Sequence, residues 1–115
     1  MAEGHHLFMG ARRILVANEL TSYRQTLAIV IRELRPHVEV FETTSEYLEG
    51  EIMRLRPDLV ICSQVTFMVR QRVANWVELY PECKPYSTFY IGGRRRAKRE
   101  VHLSDLLDLC ASPPQ

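Results

Sequence analysis

The chain has 115 residues, 46% of them hydrophobic and 25% charged, which suits one folded domain with one core and excludes a disordered tail. Its apolar runs are too short for a membrane-spanning helix, and Met1 to Gly10 has neither the basic start nor the apolar centre of a signal peptide. The expected location is therefore the cytoplasm, with no membrane partner. The net charge of +1 hides an uneven distribution: five of the six residues from Arg94 to Arg99 are basic, leaving 10 basic against 14 acidic residues elsewhere, a net of −4.

Met1 to Ala11 reads as a flexible leader, in which the adjacent His5 and His6 lack a third ligand nearby and suit a terminus better than a metal handle. Arg13 to Ala17 is the first expected strand, and Asn18-Glu19-Leu20-Thr21 the loop after it. Ser22 with Gln25 makes a capping box, and Tyr23, Leu27, Val30, Ile31 and Leu34 share one helical face. Helix one should thus run from Ser22 to Arg35, where Pro36 stops it. His37 to Glu42 alternates as an edge strand does. Thr43 with Glu46 opens helix two, which turns Tyr47, Leu48, Ile52 and Leu55 inward and is weakened at Gly50 by about 1 kcal/mol relative to alanine.

Leu55-Arg56-Pro57 repeats Leu34-Arg35-Pro36 at the next helix-to-strand junction, and the unbroken apolar run Leu59 to Cys62 reads as a central strand buried on both faces. Helix three is expected from near Thr66, with Val69, Val73, Trp76, Val77 and Tyr80 on one face and Trp76 in the core. The loop Pro81 to Pro85 ends it. Tyr86 to Ile91 is aromatic and β-branched enough for strand four, which Gly92-Gly93 stops. Arg94 to Leu103 leaves room for a loop and one very short strand, and Ser104 caps a last helix carrying Leu106, Leu107, Leu109 and Cys110. The domain is expected over residues 12–110, with 111–115 a disordered tail. Strands alternating with helices predict a parallel sheet covered on both faces. Cys62, Cys83 and Cys110 are odd in number and have no CxxC spacing, so free thiols are expected rather than disulfides or a zinc site.

Arg13-Ile14-Leu15-Val16-Ala17-Asn18-Glu19, Arg56-Pro57-Asp58-Leu59-Val60-Ile61-Cys62-Ser63 and Leu103-Ser104-Asp105-Leu106-Leu107 resemble the corresponding stretches of a bacterial response-regulator receiver domain. The resemblance implies a flavodoxin-like α/β three-layer sandwich with a parallel sheet of order 2-1-3-4-5, here with strand five short or missing and the helix-four region truncated. In that family two acidic residues after strand one and an aspartate ending strand three hold magnesium, and the aspartate takes a phosphoryl group from a histidine kinase. The matching positions here are Asn18, Glu19 and Ser63. Arg99 stands where the family has a lysine opening the last loop, and the hydroxyl residue after strand four, which would fall near Gly92, is missing. Glu19 is the one carboxylate left of three, a poor set for a hard cation, and no histidine near Ser63 in sequence can activate its hydroxyl. The resemblance therefore implies a degenerate receiver in two-component signalling, working without aspartate phosphorylation, metal, cofactor or catalytic residue.

Two surfaces are candidates for function. Without helix four, Tyr86, Phe89, Tyr90 and Ile91 would lack cover and form a homodimer or protein-partner contact; the alternative is that Arg94 to Val101 folds back over them. Gly92 and Gly93 followed by Arg94, Arg95, Arg96 and Lys98, at the carboxyl end of a strand, suit phosphate, so phosphate or nucleic-acid binding is the competing function. No aromatic stacking set or helix-turn-helix accompanies them. An enzyme is the remaining option, with Cys62 and His37 or His102 as a thiol–imidazole pair. Against it, Cys62 sits inside an apolar strand, and the chain has no Gly-x-Ser-x-Gly elbow or P-loop.

Overall fold

In the computed structural model, which describes residues 8–114, the first half of the chain follows the predicted alternation: β1 (Arg13–Ala17), α1 (Thr21–Leu34), β2 (Glu39–Glu42), α2 (Leu48–Leu55) and β3 (Leu59–Cys62). His5, His6 and the rest of the leader before Phe8, together with Gln115, lie outside the described residues. The pleat sorts the strand residues into two cores. Ile14, Val16, Leu59 and Ile61 pack on one face of the sheet with Leu27, Ala28 and Ile31 of α1. Leu15, Ala17, Val60 and Cys62 pack on the other with Leu48, Ile52 and Leu55 of α2.

Neither predicted capping box forms at the first two helices. Arg24 N–H bonds to Leu20 C=O, so α1 starts a residue before Ser22 and has no side-chain cap. Thr43 N–H bonds to Val16 C=O, which prolongs the β1–β2 pairing past the expected helix start, and the Thr43 hydroxyl turns to Thr44 C=O. Helix α2 therefore begins only at Leu48 and leaves Tyr47 exposed.

After β3 the chain departs further from the expected pattern. Thr66 caps α3 (Phe67–Arg72), its Oγ1 accepting Val69 N–H at 3.2 Å, yet the helix does not continue to Tyr80. Asn75–Glu78 is instead a strand, β4, parallel to β3. Val73, Trp76 and Val77 fit a helical face and a strand about equally well, and pairing with the exposed edge of β3 decides between them. As a strand the segment buries Val77 in one core and Trp76 in the other.

The predicted strand four is the fifth, β5 (Ser87–Ile91), and it runs antiparallel to β4. From Glu78 to Ser87 the chain makes only a 3-10 turn at Pro81–Cys83, too short for the crossover that a parallel strand needs. Gly92 and Gly93, with φ of 60° and 82°, form a two-residue hairpin turn into β6 (Arg94–Lys98), so the predicted basic loop is a strand. It pairs with β5 edge to edge rather than folding back across its face. The sheet is accordingly mixed, not parallel, with the order β2-β1-β3-β4-β5-β6.

The last helix, α4 (Leu103–Leu107), places Leu106 and Leu107 in the α1 core. Its cap is not Ser104: Asp105 Oδ2 accepts the backbone N–H of His102 at 2.7 Å. The segment before β1 meets the one after α4, with Ala11 N–H donating to Leu109 C=O at 2.7 Å and Ala111 N–H to Ala11 C=O at 2.9 Å. Both alanines, at the margins of the predicted domain, are buried. Among the described residues no helix is long and apolar enough to cross a membrane.

Candidate functional site

The carboxyl ends of β1, β2 and β3 bring Asn18, Glu19, Thr43, Ser45 and Ser63 to one end of the sheet, where open α/β sheets bind ligands. Register fixes this grouping, because Ala17 pairs with Cys62 and the next residues of each strand are then neighbours. Glu19 N–H donates to Ser63 Oγ at 2.8 Å, a bond that ties the β1–α1 loop to the β3–α3 loop. Ser45 Oγ donates to both oxygens of the Glu19 carboxylate, at 3.1 and 3.4 Å. Asn18, Glu19 and Ser63 thus lie together at this end of the sheet.

Three members of the site escaped sequence reasoning: Thr43, expected only to open helix two, Ser45 and Arg24. Arg24 is 8% exposed, and its guanidinium donates to Asn18 C=O at 2.8 Å, reaches Thr21 Oγ1 at 3.4 Å and pairs with Glu42 at 4.0 Å. The spacing of residues 24, 27, 28 and 31 was the available signal, since it puts Arg24 on the inward face of α1. Ser45 lies in an irregular loop and has no comparable signal. Asn18 is 3% exposed, and no donor among the described residues reaches its Oδ1.

The chemistry of this pocket is limited. Ser63 is held as an acceptor, and none of its hydrogen bonds among the described residues is to an imidazole or a carboxylate that could act as a base. The donor set does not fit the magnesium ion that the resemblance implies. Glu19 supplies one carboxylate beside an amide and the three hydroxyls of Thr43, Ser45 and Ser63, and Glu42 is occupied by Arg24 and, at 3.5 Å, by Arg32. Among the described residues no three His, Cys, Asp or Glu side chains are grouped for a metal ion.

Arg99 does not join the pocket. It is exposed in the loop after β6, and β4 and β5 push that strand four positions from β1, roughly 19 Å at about 4.8 Å per strand. No ion pair links Arg99 to Glu19 among the described residues.

The expected anion loop is also rearranged. Because β5 is antiparallel, Gly92 and Gly93 lie at the opposite end of the sheet from Asn18 and Ser63, beside Asn75 and Asp58. Arg94, Arg96 and Lys98 project from one face of β6 and Arg95 from the other, so the cations do not form a single cradle. Lys98 pairs with Asp105 at 3.4 Å. Arg95 lies over the Trp76 ring, 5.9 Å from its centroid, and Arg70 does the same at 5.6 Å.

Of the expected interface residues, Phe89 is 3% exposed and packs in the α1/α4 core, so it offers nothing to a partner. Tyr90 stacks on Trp76 at 5.4 Å and is half-buried with Ile91, while Tyr86 is exposed. The thiol–imidazole option has no geometric support: Cys62 Sγ lies against Val77 C=O, and burial pushes its pKa up to about 12.

Fold and site together define a small α/β protein with a six-stranded mixed sheet and a polar side-chain cluster at the carboxyl ends of β1, β2 and β3. Comparison with family models, curated proteins and solved structures finds no match to the chain.

Proposed function

We propose that this chain is a receiver-like protein-interaction module that works in the cytoplasm without aspartate phosphorylation and without catalysis. The observation that carries the reading is the Glu19 N–H to Ser63 Oγ bond. It closes the two loops between which a receiver would hold its phosphoryl group, and it uses as acceptor the side chain standing in for the phospho-acceptor. The order of the four parallel strands, β2-β1-β3-β4, supports a flavodoxin-like origin, with the β5–β6 hairpin in place of the remaining helix–strand unit.

The test is intact mass after incubation with magnesium and acetyl phosphate. An unmodified mass is the expected result, and a gain of one phosphoryl group would refute the proposal. The competing reading, phosphate or nucleic-acid binding through residues 94–99, draws support from the five cations on an exposed segment.

A further inference from the structure

The β6 strand is the outer edge of the sheet, and among the described residues nothing pairs with its free side. In a two-residue hairpin the residues flanking the turn exchange both hydrogen bonds, so Arg94, Arg96 and Lys98 direct their backbone groups to β5. The alternation leaves the N–H and C=O of Arg95 and Ala97 pointing outward, a ladder ready for another strand. Four of the five residues of this edge are basic. Among the described residues only Lys98 has an acidic partner, Asp105.

The charge selects among occupants. A second copy docking through the same edge would set arginines against arginines, and like charges on facing strands destabilise the pairing. An acidic strand reverses that sign at every contact. Nucleic acid would also meet the charge, but it would leave the outward backbone donors and acceptors of Arg95 and Ala97 without a matching ladder. Of the aromatic rings near this edge, Trp76 is buried beneath Tyr90 and the two guanidinium groups and offers no base a platform, and the exposed Tyr86 is a single ring rather than a stacking set.

We propose that β6 docks an extended acidic segment of a partner protein by strand addition, with alternate carboxylates facing Arg94, Arg96 and Lys98. This rests on the reading of the chain as an interaction module and names the chemistry of its partner.

The test is fluorescence anisotropy with the full chain and a labelled peptide of sequence Glu-Val-Glu-Thr-Glu-Val-Glu. It runs beside the same peptide with lysine in place of glutamate, a version N-methylated at alternate residues, and an oligo-thymidine. The expected result is saturable binding of the acidic peptide alone, weakened about tenfold or more by N-methylation and weakened by salt. Ala97→Pro removes one outward N–H and leaves the charge, and proline is tolerated at a position facing away from the sheet. This variant should stay folded and lose binding, as should Arg94→Glu with Arg96→Glu. Equal binding of the N-methylated peptide, undiminished binding by a folded Ala97→Pro variant, tighter binding of the oligo-thymidine, or no peptide binding at low salt would each overturn the proposal. No phosphodonor is present in this titration, so its failure leaves the phosphorylation result standing.

Discussion

The Asn75 side chain closes two strand ends at once: its amide donates to Asp58 C=O at 3.1 Å, and its carbonyl accepts Gly92 N–H at 2.8 Å. Asp58 in turn accepts the backbone N–H groups of Arg12 and Arg13 at 2.9 and 3.0 Å. The amino ends of β1, β3 and β4 and the hairpin turn are thereby stitched together by two side chains. Asn75→Ala removes two hydrogen bonds and leaves their partners unmet, so a loss of about 2–3 kcal/mol is expected in urea unfolding. A midpoint equal to that of the parent protein would contradict the stitch. The cysteines give a second prediction at this scale. Cys83 is exposed and should react with iodoacetamide in the folded protein, whereas Cys62 should react only on unfolding. Burial, and then the charge of Glu78, raise the Cys62 pKa from 9.0 to about 12. The fold thus keeps this thiol protonated over a range in which the unfolded chain ionises it. Its contribution is complete below pH 9 and falls away as pH rises toward 12. A Cys62→Val variant should show a shallower loss of stability over that interval, measured by denaturant unfolding at several alkaline pH values.

Among the elements, those with a long period were legible and those settled by a neighbour were not. Helix α1 carries 14 residues with a helical apolar face, and β3 is an unbroken apolar run between Asp58 and Ser63; both are legible in their own residues. The four residues of β4 have too little period to distinguish a strand from one turn of helix, and the edge of β3 decides. Strand β6 has no apolar alternation at all, and the positive φ angles of Gly92 and Gly93 fold it back along β5. The same locality governed the pocket. Asn18, Glu19 and Ser63 follow from strand ends, whereas Arg24 was hidden on a helix face and Ser45 in an irregular loop. Two substitutions test elements. Gly50 lies exposed in α2, and a Cβ there would meet nothing within 4 Å, so Gly50→Ala should stabilise the protein by about 0.5–1 kcal/mol in thermal unfolding. At Gly10, φ is +94° and a Cβ would lie 2.5 Å from Ala111 Cα, so Gly10→Ala should cost about 2 kcal/mol or more and loosen the Ala11–Cys110 bridge. Faster amide exchange at Ala11 and Ala111 would register that loosening, and an unchanged rate would contradict it.

Across the whole molecule, the Glu19–Ser63 cluster and the basic edge are different regions of one sheet. The cluster sits at the carboxyl ends of β1 and β3, and the cations line β6 at the far edge of the sheet. A switch would need the cluster at Glu19 and Ser63 to rearrange and the change to reach that edge, and the cluster is tied by a bond between its two loops and holds a single carboxylate, that of the exposed Glu19. The account therefore predicts a surface that is always available, with charge selecting its partner rather than phosphorylation. The most direct measurement is a two-dimensional amide NMR spectrum of the folded chain, recorded before and after addition of magnesium with acetyl phosphate. The account predicts that the amides of Asn18, Glu19 and Ser63, and those of Arg94 to Lys98, stay where they are. Saturable shifts that begin at Glu19 and Ser63 and extend to β6 would show a working switch and contradict it.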